Sequence, residues 1–132
     1  METILFAKIM GAFYGFLAIV FGAFGAHALK KKLTLEQLHS FETGVKYQMY
    51  HAIVLLVLSY NLGFNDPVET YIVYCLVFGT LLFSFSIYGL CLKTSERKNL
   101  KFLGPITPIG GLLLATGWAL LLYSFVVAVL KP

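Results

Sequence analysis

Four apolar stretches follow one another along this chain, and polar segments separate them. The stretches cover residues 9–29, 47–64, 68–92 and 109–130. A helix needs roughly 20 residues to cross a hydrocarbon core of about 30 Å, and each stretch is near that length. The pattern predicts an all-α integral membrane protein, a four-helix bundle whose single domain takes in residues 1–132.

The segment 35–46, just before the second apolar stretch, has a different pattern. Thr34 and Gln37 have the spacing of a capping box, which predicts a helix that begins after Thr34. Apolar residues then recur every three or four positions, with polar residues elsewhere around the helix, as in helices that lie on a membrane surface. We therefore predict an interfacial amphipathic helix over 35–46 on the cytoplasmic side, with a bend near Gly44 into the second span.

The sequence Gly-Pro-Ile-Thr-Pro at 104–108 ends the basic segment between the third and fourth spans. Proline removes a backbone N–H donor and crowds the preceding helical turn. Pro105 and Pro108 therefore predict a loop that continues to residue 108, and a fourth helix that begins at about residue 109.

The composition agrees with burial in lipid. Hydrophobic residues make up 59% of the chain and charged residues 12%. A water-soluble domain of this size has too little interior to hide so much apolar surface. Cys75 and Cys91 lie in the same span, roughly 24 Å apart along a helix, so they cannot form a disulfide with each other.

Basic residues fix the predicted orientation. Of the ten Lys and Arg residues, eight fall on one side of the membrane: Lys30, Lys31, Lys32, Lys46, Lys93, Arg97, Lys98 and Lys101. Short basic loops stay in the cytoplasm, so we expect both termini outside it. The same cations are expected to contact anionic lipid headgroups on the cytoplasmic face. They flank apolar spans and do not alternate with stacking aromatic residues, which argues against binding to nucleic acid.

This orientation places several polar residues at one depth near the cytoplasmic face. The candidate polar cluster consists of His27, Glu42, Lys46, Tyr47, Gln48, His51 and Thr107. His51 stands out because an ionisable side chain inside a membrane span is costly and often marks a functional site. The alternative is a neutral imidazole that is bonded to a neighbouring helix and packs with Tyr47.

The same residues give little support for a metal site. Glu42 and Lys46 are spaced to pair on a helix surface, whereas Glu42 and His51 face opposite ways on a straight helix. Glu36 and His39 form one copy of the Glu-x-x-His pattern that di-iron bundles use in pairs, so we interpret them as a solvated face. His27 suits a helix C-terminus. We predict no metal and no cofactor.

Small residues recur along two spans. The stripes are Gly11, Gly15 and Gly22 in the first span, and Gly110 and Gly117 in the fourth. Such stripes let helices approach closely in lipid, and they carry fewer polar groups than a pore lining needs. Because they exceed what one bundle obviously requires, they predict a homo-oligomer. Trp118 lies deep in the fourth span, so its indole N–H needs a partner within the bundle.

Sequence motifs of catalysis are missing. The chain has no G-x-S-x-G, no phosphate loop and no H-E-x-x-H. A structural or interaction role in the membrane is therefore the main hypothesis. The alternative is a small proton- or solute-translocating transporter or channel, in which His51, His27 and the 104–108 backbone form the site.

Three motifs together resemble a known family: GAFGAHAL at 22–29, FETGVKYQMYHA at 41–52, and GPITPIGG with a later Gly-Trp within 104–118. The chain resembles the YgdD/YwdK-like family of small bacterial inner-membrane proteins (domain of unknown function 423), which has a eukaryotic relative, transmembrane protein 256. The resemblance implies a four-span protein of the bacterial plasma membrane without an established activity. It maps family motifs onto His27, Glu42, Tyr47, Gln48, His51, Pro105, Thr107, Pro108, Gly110, Gly111 and Trp118.

Overall fold

The computed structural model describes residues 1–92 and 102–130, apart from the side chain of Ala26. In these ranges the chain is helical and has no strand. The helices are α1 (Glu2–Phe24), which continues as a π-helical turn (Gly25–Leu29), α2 (Leu35–Asn61), α3 (Pro67–Cys91) and α4 (Leu103–Leu130). The predicted all-α fold with four helices is confirmed. Five of the cations counted above lie outside the described residues: Lys93, Arg97, Lys98, Lys101 and Lys131.

Three helical stretches are long and apolar enough to cross a membrane: Glu2–Leu29, Pro67–Cys91 and Leu103–Leu130. Helix α2 is long enough at 27 residues, but it carries the polar residues Gln48 and His51. Both side chains are buried among the helices and therefore do not face lipid. A helical membrane protein is supported, and the crossing of α2 stays a prediction.

Helices α1 and α2 form a tightly packed antiparallel pair. A methyl group added at Gly11 would lie 2.9 Å from Cγ of Leu56, and one added at Gly25 would lie 2.7 Å from the ring of Phe41. The predicted capping box is present at the start of α2, where Thr34 Oγ1 accepts from the Gln37 backbone N–H at 3.2 Å. The glycines remove side chains where the two backbones come closest.

The predicted surface helix and the predicted second span are one uninterrupted helix, α2. Helix α2 also packs on α3, because the ring of Tyr88 lies against Gly44. The Gly44 carbonyl accepts a hydrogen bond of 2.7 Å from Ser84 Oγ. Residues 35–46 thus extend the bundle at one end, and their contact with the membrane surface stays a prediction.

The prediction of a loop through residue 108 is wrong, because α4 begins at Leu103 and contains Pro108. Pro105 is in the first helical turn, where a backbone N–H has no intrahelical acceptor in any case. Pro108 removes only the bond that would reach the carbonyl of Gly104, and Gly104 is exposed. The packing of α4 on α3 favours the helix over the loop that the prolines suggested.

Helix α3 is the centre of the bundle. Half of the residues in an apolar 18-residue segment of α3 are buried, against 22% in the corresponding segment of the α1 stretch and 17% in that of α4. Helix α4 packs along α3, where Gly110 meets the backbone of Phe83 and Gly117 meets the side chain of Leu76. In the described ranges α4 makes no close backbone contact with α1 or α2. Large apolar side chains on the outer surface, such as Phe16 and Leu122, each 66% exposed, suit contact with lipid.

Candidate functional site

One end of the bundle, here called the basic end, holds Lys30–Lys32 and the starts of α2 and α4. The candidate polar cluster divides there into two groups. His27, Glu42 and Lys46 are exposed on the surface. Gln48, His51 and Thr107 make hydrogen bonds deeper in the bundle, and Tyr47, which is 43% exposed, stacks its ring on His51.

Gln48 joins three helices and is fully buried. Its Nε2 donates to the backbone carbonyl of Tyr14 in α1 at 2.9 Å. Its Oε1 accepts from the hydroxyl of Tyr88 in α3 at 2.7 Å. The Tyr14 hydroxyl donates in turn to the carbonyl of Val77 at 2.8 Å. These bonds fix α1, α2 and α3 relative to one another, because a buried amide needs partners at both ends.

His51 bonds through both ring nitrogens. Nδ1 lies 2.7 Å from the backbone carbonyl of Tyr47, and Nε2 accepts the indole N–H of Trp118 at 3.2 Å. Since an indole nitrogen only donates, Nε2 carries no proton, and the ring proton sits on Nδ1 and points at the carbonyl. The imidazole is therefore neutral in this arrangement. The Tyr47 ring stacks on it with a centroid distance of 6.3 Å.

Thr107 links α4 to α3. Its Oγ1 lies 2.6 Å from Oγ of Ser86. Ser86 also donates to the Phe83 carbonyl at 3.0 Å, and Thr80 donates to the Leu76 carbonyl at 2.7 Å. The hydroxyls of Thr80 and Ser86 thus each have a partner in their own helix.

The exposed group differs from His51 in burial. His27 projects from the π-helical turn, and Glu42 is exposed whereas His51 is 4% exposed. Within residues 1–92 and 102–130, no group of three or more His, Cys, Asp or Glu side chains could hold a metal ion. The hydrogen bonds of His51 go to Tyr47 and Trp118, and a single site that includes the exposed residues stays a prediction.

The five glycines of the predicted stripes all lie at contacts between helices of this chain. Gly11, Gly15 and Gly22 face Leu56, Ala52 and Val45 of α2, and Gly110 and Gly117 face Phe83 and Leu76 of α3. Gly11, Gly110 and Gly117 are buried in these contacts, and Gly15 and Gly22 are partly buried, so most of each stripe is covered within one chain.

A cavity of about 460 Å³ lies at the basic end and is here called the rim groove. It was not predicted from the sequence. Helix α2 lines one wall with Glu36, His39 and Ser40, and α3 lines another with Ile87 and Leu90. The first turns of α4 close the third side. The groove was not predicted because residues 104–108, which form its third wall, were expected to be a loop. The polar residues of α2 that line it were interpreted as a solvated helix face.

Comparison with known proteins finds a family model and related membrane proteins. Residues 21–111 match a family model described as a protein of unknown function (DUF423). The chain is 38% identical over 113 residues to a UPF0382 membrane protein of Staphylococcus saprophyticus, covering 86% of this chain and 90% of the relative. A UPF0382 membrane protein of Schizosaccharomyces pombe is 37% identical over 114 residues, covering 86% and 95%. The UPF0382 inner membrane protein YgdD of Escherichia coli K12 is 35% identical over 123 residues, covering 91% and 88%. No solved structure matches the chain.

Proposed function

This chain belongs to the DUF423 family of membrane proteins, and we propose that it serves as a structural or interaction component of the plasma membrane. The resemblance carried by its three motifs is confirmed, including the eukaryotic relative. The names of the relatives place them in a membrane and assign them no activity. The proposal is therefore argued from the geometry of this chain.

The observation that carries the proposal is the state of the buried polar side chains. In the described ranges, every buried side-chain nitrogen or oxygen has a hydrogen-bond partner. Gln48 uses its amide nitrogen and its amide oxygen, and His51 uses both ring nitrogens. A translocated solute would have to break such bonds, and each buried group left without a partner costs about 1–3 kcal/mol. This favours a static interior over a conducting one.

The same geometry weakens the transporter alternative. Its site needed His27, His51 and an irregular backbone at 104–108 to meet. The 104–108 segment lies in α4, and His27 is exposed while His51 is buried. Interrupted helices, which supply free backbone groups to transporter sites, are thus missing at this segment.

Self-association is proposed on a surface other than the glycine stripes, which are mostly covered inside the chain. Ala115 and Ala119 are four residues apart on the outer face of α4, and both are exposed. Two small residues at this spacing let another helix approach closely in lipid. We therefore place the homo-oligomer contact on α4, which has the smallest buried share of the three apolar stretches.

The orientation with both termini outside the cytoplasm is also a proposal. Its support is the helix order, because α1 and α3 run in one direction and α2 and α4 run in the other. Phe6 of α1 lies beside Tyr74 of α3, whereas Gly11 of α1 lies beside Leu56 of α2. Both described chain ends therefore lie opposite the basic end, and basic segments favour the cytoplasmic side.

Flux through the purified protein in proteoliposomes tests the main proposal. We expect proton and small-ion permeability equal to that of empty vesicles, for wild type and for His51→Ala alike. A flux above that of empty vesicles that disappears in His51→Ala would establish the transporter alternative.

A further inference from the structure

We propose that the rim groove binds one membrane phospholipid whose headgroup carries an ammonium group, as phosphatidylethanolamine does. The inference goes beyond the proposed function and does not depend on it. It rests on the volume of the groove, the chemistry of its walls and the surface that continues from it.

The volume and walls of the groove suit an amphiphile. About 460 Å³ falls within the range of roughly 300–1,000 Å³ that small-ligand sites occupy. Glu36 and Ser40 on α2 offer polar contacts, and Ile87 and Leu90 on α3 offer apolar ones. A small polar solute would leave the apolar wall uncovered, whereas a lipid covers both walls at once.

The groove also continues into a lipid-facing surface. Thr107 lines it on the α4 side, and Ile109, two residues further into the membrane-spanning helix, is 52% exposed. On the α2 side Tyr47 follows, 43% exposed, with its ring 5.0 Å from that of Phe83. An acyl chain that leaves the groove therefore meets apolar side chains along its path between α2 and α4.

Glu36 selects the headgroup. Its carboxylate is exposed at the polar wall, where it can accept hydrogen bonds from an ammonium group. The Ser40 hydroxyl on the same wall adds a further acceptor. A phospholipid without an ammonium group lacks a partner for this carboxylate. Lys30–Lys32, which we expect to contact anionic lipid, are not among the lining residues of the groove.

Native mass spectrometry of the full chain in mild detergent tests the proposal, with phosphatidylethanolamine or phosphatidylglycerol of identical acyl chains added. We expect one phosphatidylethanolamine molecule to be retained in preference to phosphatidylglycerol. Glu36→Gln should reduce this preference by up to about fivefold, the size of an exposed ion pair. Equal retention of the two lipids by wild type would overturn the headgroup assignment.

Two variants that fill the groove from opposite walls test its location. Leu90→Trp and Ser40→Phe should both abolish retention, and the melting temperature of each shows whether it folds. Leu122→Trp, at an exposed position on α4, is the matched control and should retain the lipid. Retention by a folded Ser40→Phe variant would place the lipid elsewhere. Displacement of the lipid by free O-phosphoethanolamine would show that a soluble headgroup suffices, which contradicts a lipid site.

Discussion

The indole N–H of Trp118 donates a hydrogen bond of 3.2 Å to Nε2 of His51, and this contact joins α4 to α2 across the face of α3. In the part of the chain that the structure describes, the backbones of these two helices do not pack against each other. Among the described residues, this is the one side-chain hydrogen bond between α2 and α4.

Trp118→Phe should destabilise the protein by about 1 kcal/mol, because it leaves Nε2 of His51 without its donor. Circular dichroism during thermal unfolding in detergent measures the effect, since the variant lacks the single tryptophan. Tyr123→Phe, at an exposed position on the same helix, is the control. Equal melting temperatures for the two variants would mean that the indole bond contributes nothing to stability.

Gln48→Leu should cost about 1–3 kcal/mol, because the Tyr88 hydroxyl is then buried without its acceptor. Tyr88→Phe should cost a similar amount, since it leaves Oε1 of the buried Gln48 without its donor. In a double-mutant cycle the two changes should be less than additive, as expected for residues that share a hydrogen bond. Strict additivity of the unfolding free energies would refute the coupling of α2 to α3 through this bond.

Gly110→Ala should destabilise the contact between α3 and α4 by about 1–3 kcal/mol, because the new methyl group meets the backbone of Phe83. Gly111→Ala is a matched control at the next position of the same helix, where the nearest atom of another helix is 3.7 Å away in the Phe83 ring, an ordinary van der Waals contact. The control should be neutral or up to about 1 kcal/mol more stable, since alanine is the better helix former. Thermal unfolding of both variants in one detergent decides this, and a melting temperature for Gly110→Ala at or above that of wild type would contradict the close contact.

Ala119→Ile should weaken self-association, because the larger side chain keeps a second helix away from the outer face of α4. Energy transfer between labelled copies in proteoliposomes measures the association at several lipid-to-protein ratios. Ala12→Ile, an exposed position on α1, should leave the transfer unchanged. If both variants associate like wild type, the contact does not lie on α4; if wild type shows no transfer, the protein is a monomer.

Single cysteines placed just before and just after α2 test the orientation, in a background where Cys75 and Cys91 are replaced by alanine. We expect a membrane-impermeant maleimide to label Asn65→Cys in intact cells, and Lys31→Cys only after permeabilisation. Both positions are exposed. The reverse pattern would show the opposite orientation in the membrane. Labelling of both cysteines from one side would exclude a crossing of the membrane by α2.

The number of helices could be predicted from the four apolar stretches. The start of α2 could be predicted because the capping box of Thr34 is a local signal that packing does not alter. The sequence was insufficient for the start of α4. There the local effect of two prolines is outweighed by the contacts of α4 with α3. The register in which these two helices pack cannot be read from a local sequence pattern. The rim groove depends on that same register.

The partner of Trp118 illustrates the same limit for the candidate site. The depth of the indole in the span predicted that it needs an acceptor, but not that His51, 67 positions earlier, supplies it. The sequence likewise identified Gln48 and His51 as members of one cluster. The structure assigns them to different contacts, one toward α1 and α3 and one toward α4.

Two hydroxyls of α3 bear on how the protein enters the membrane during synthesis. Thr80 and Ser86 bond to carbonyls of their own helix, so α3 reaches lipid with these donors satisfied before α4 has left the ribosome. Insertion and assembly are then separable stages, because α3 can reside in lipid without leaving these two donors unpaired while it waits for α4.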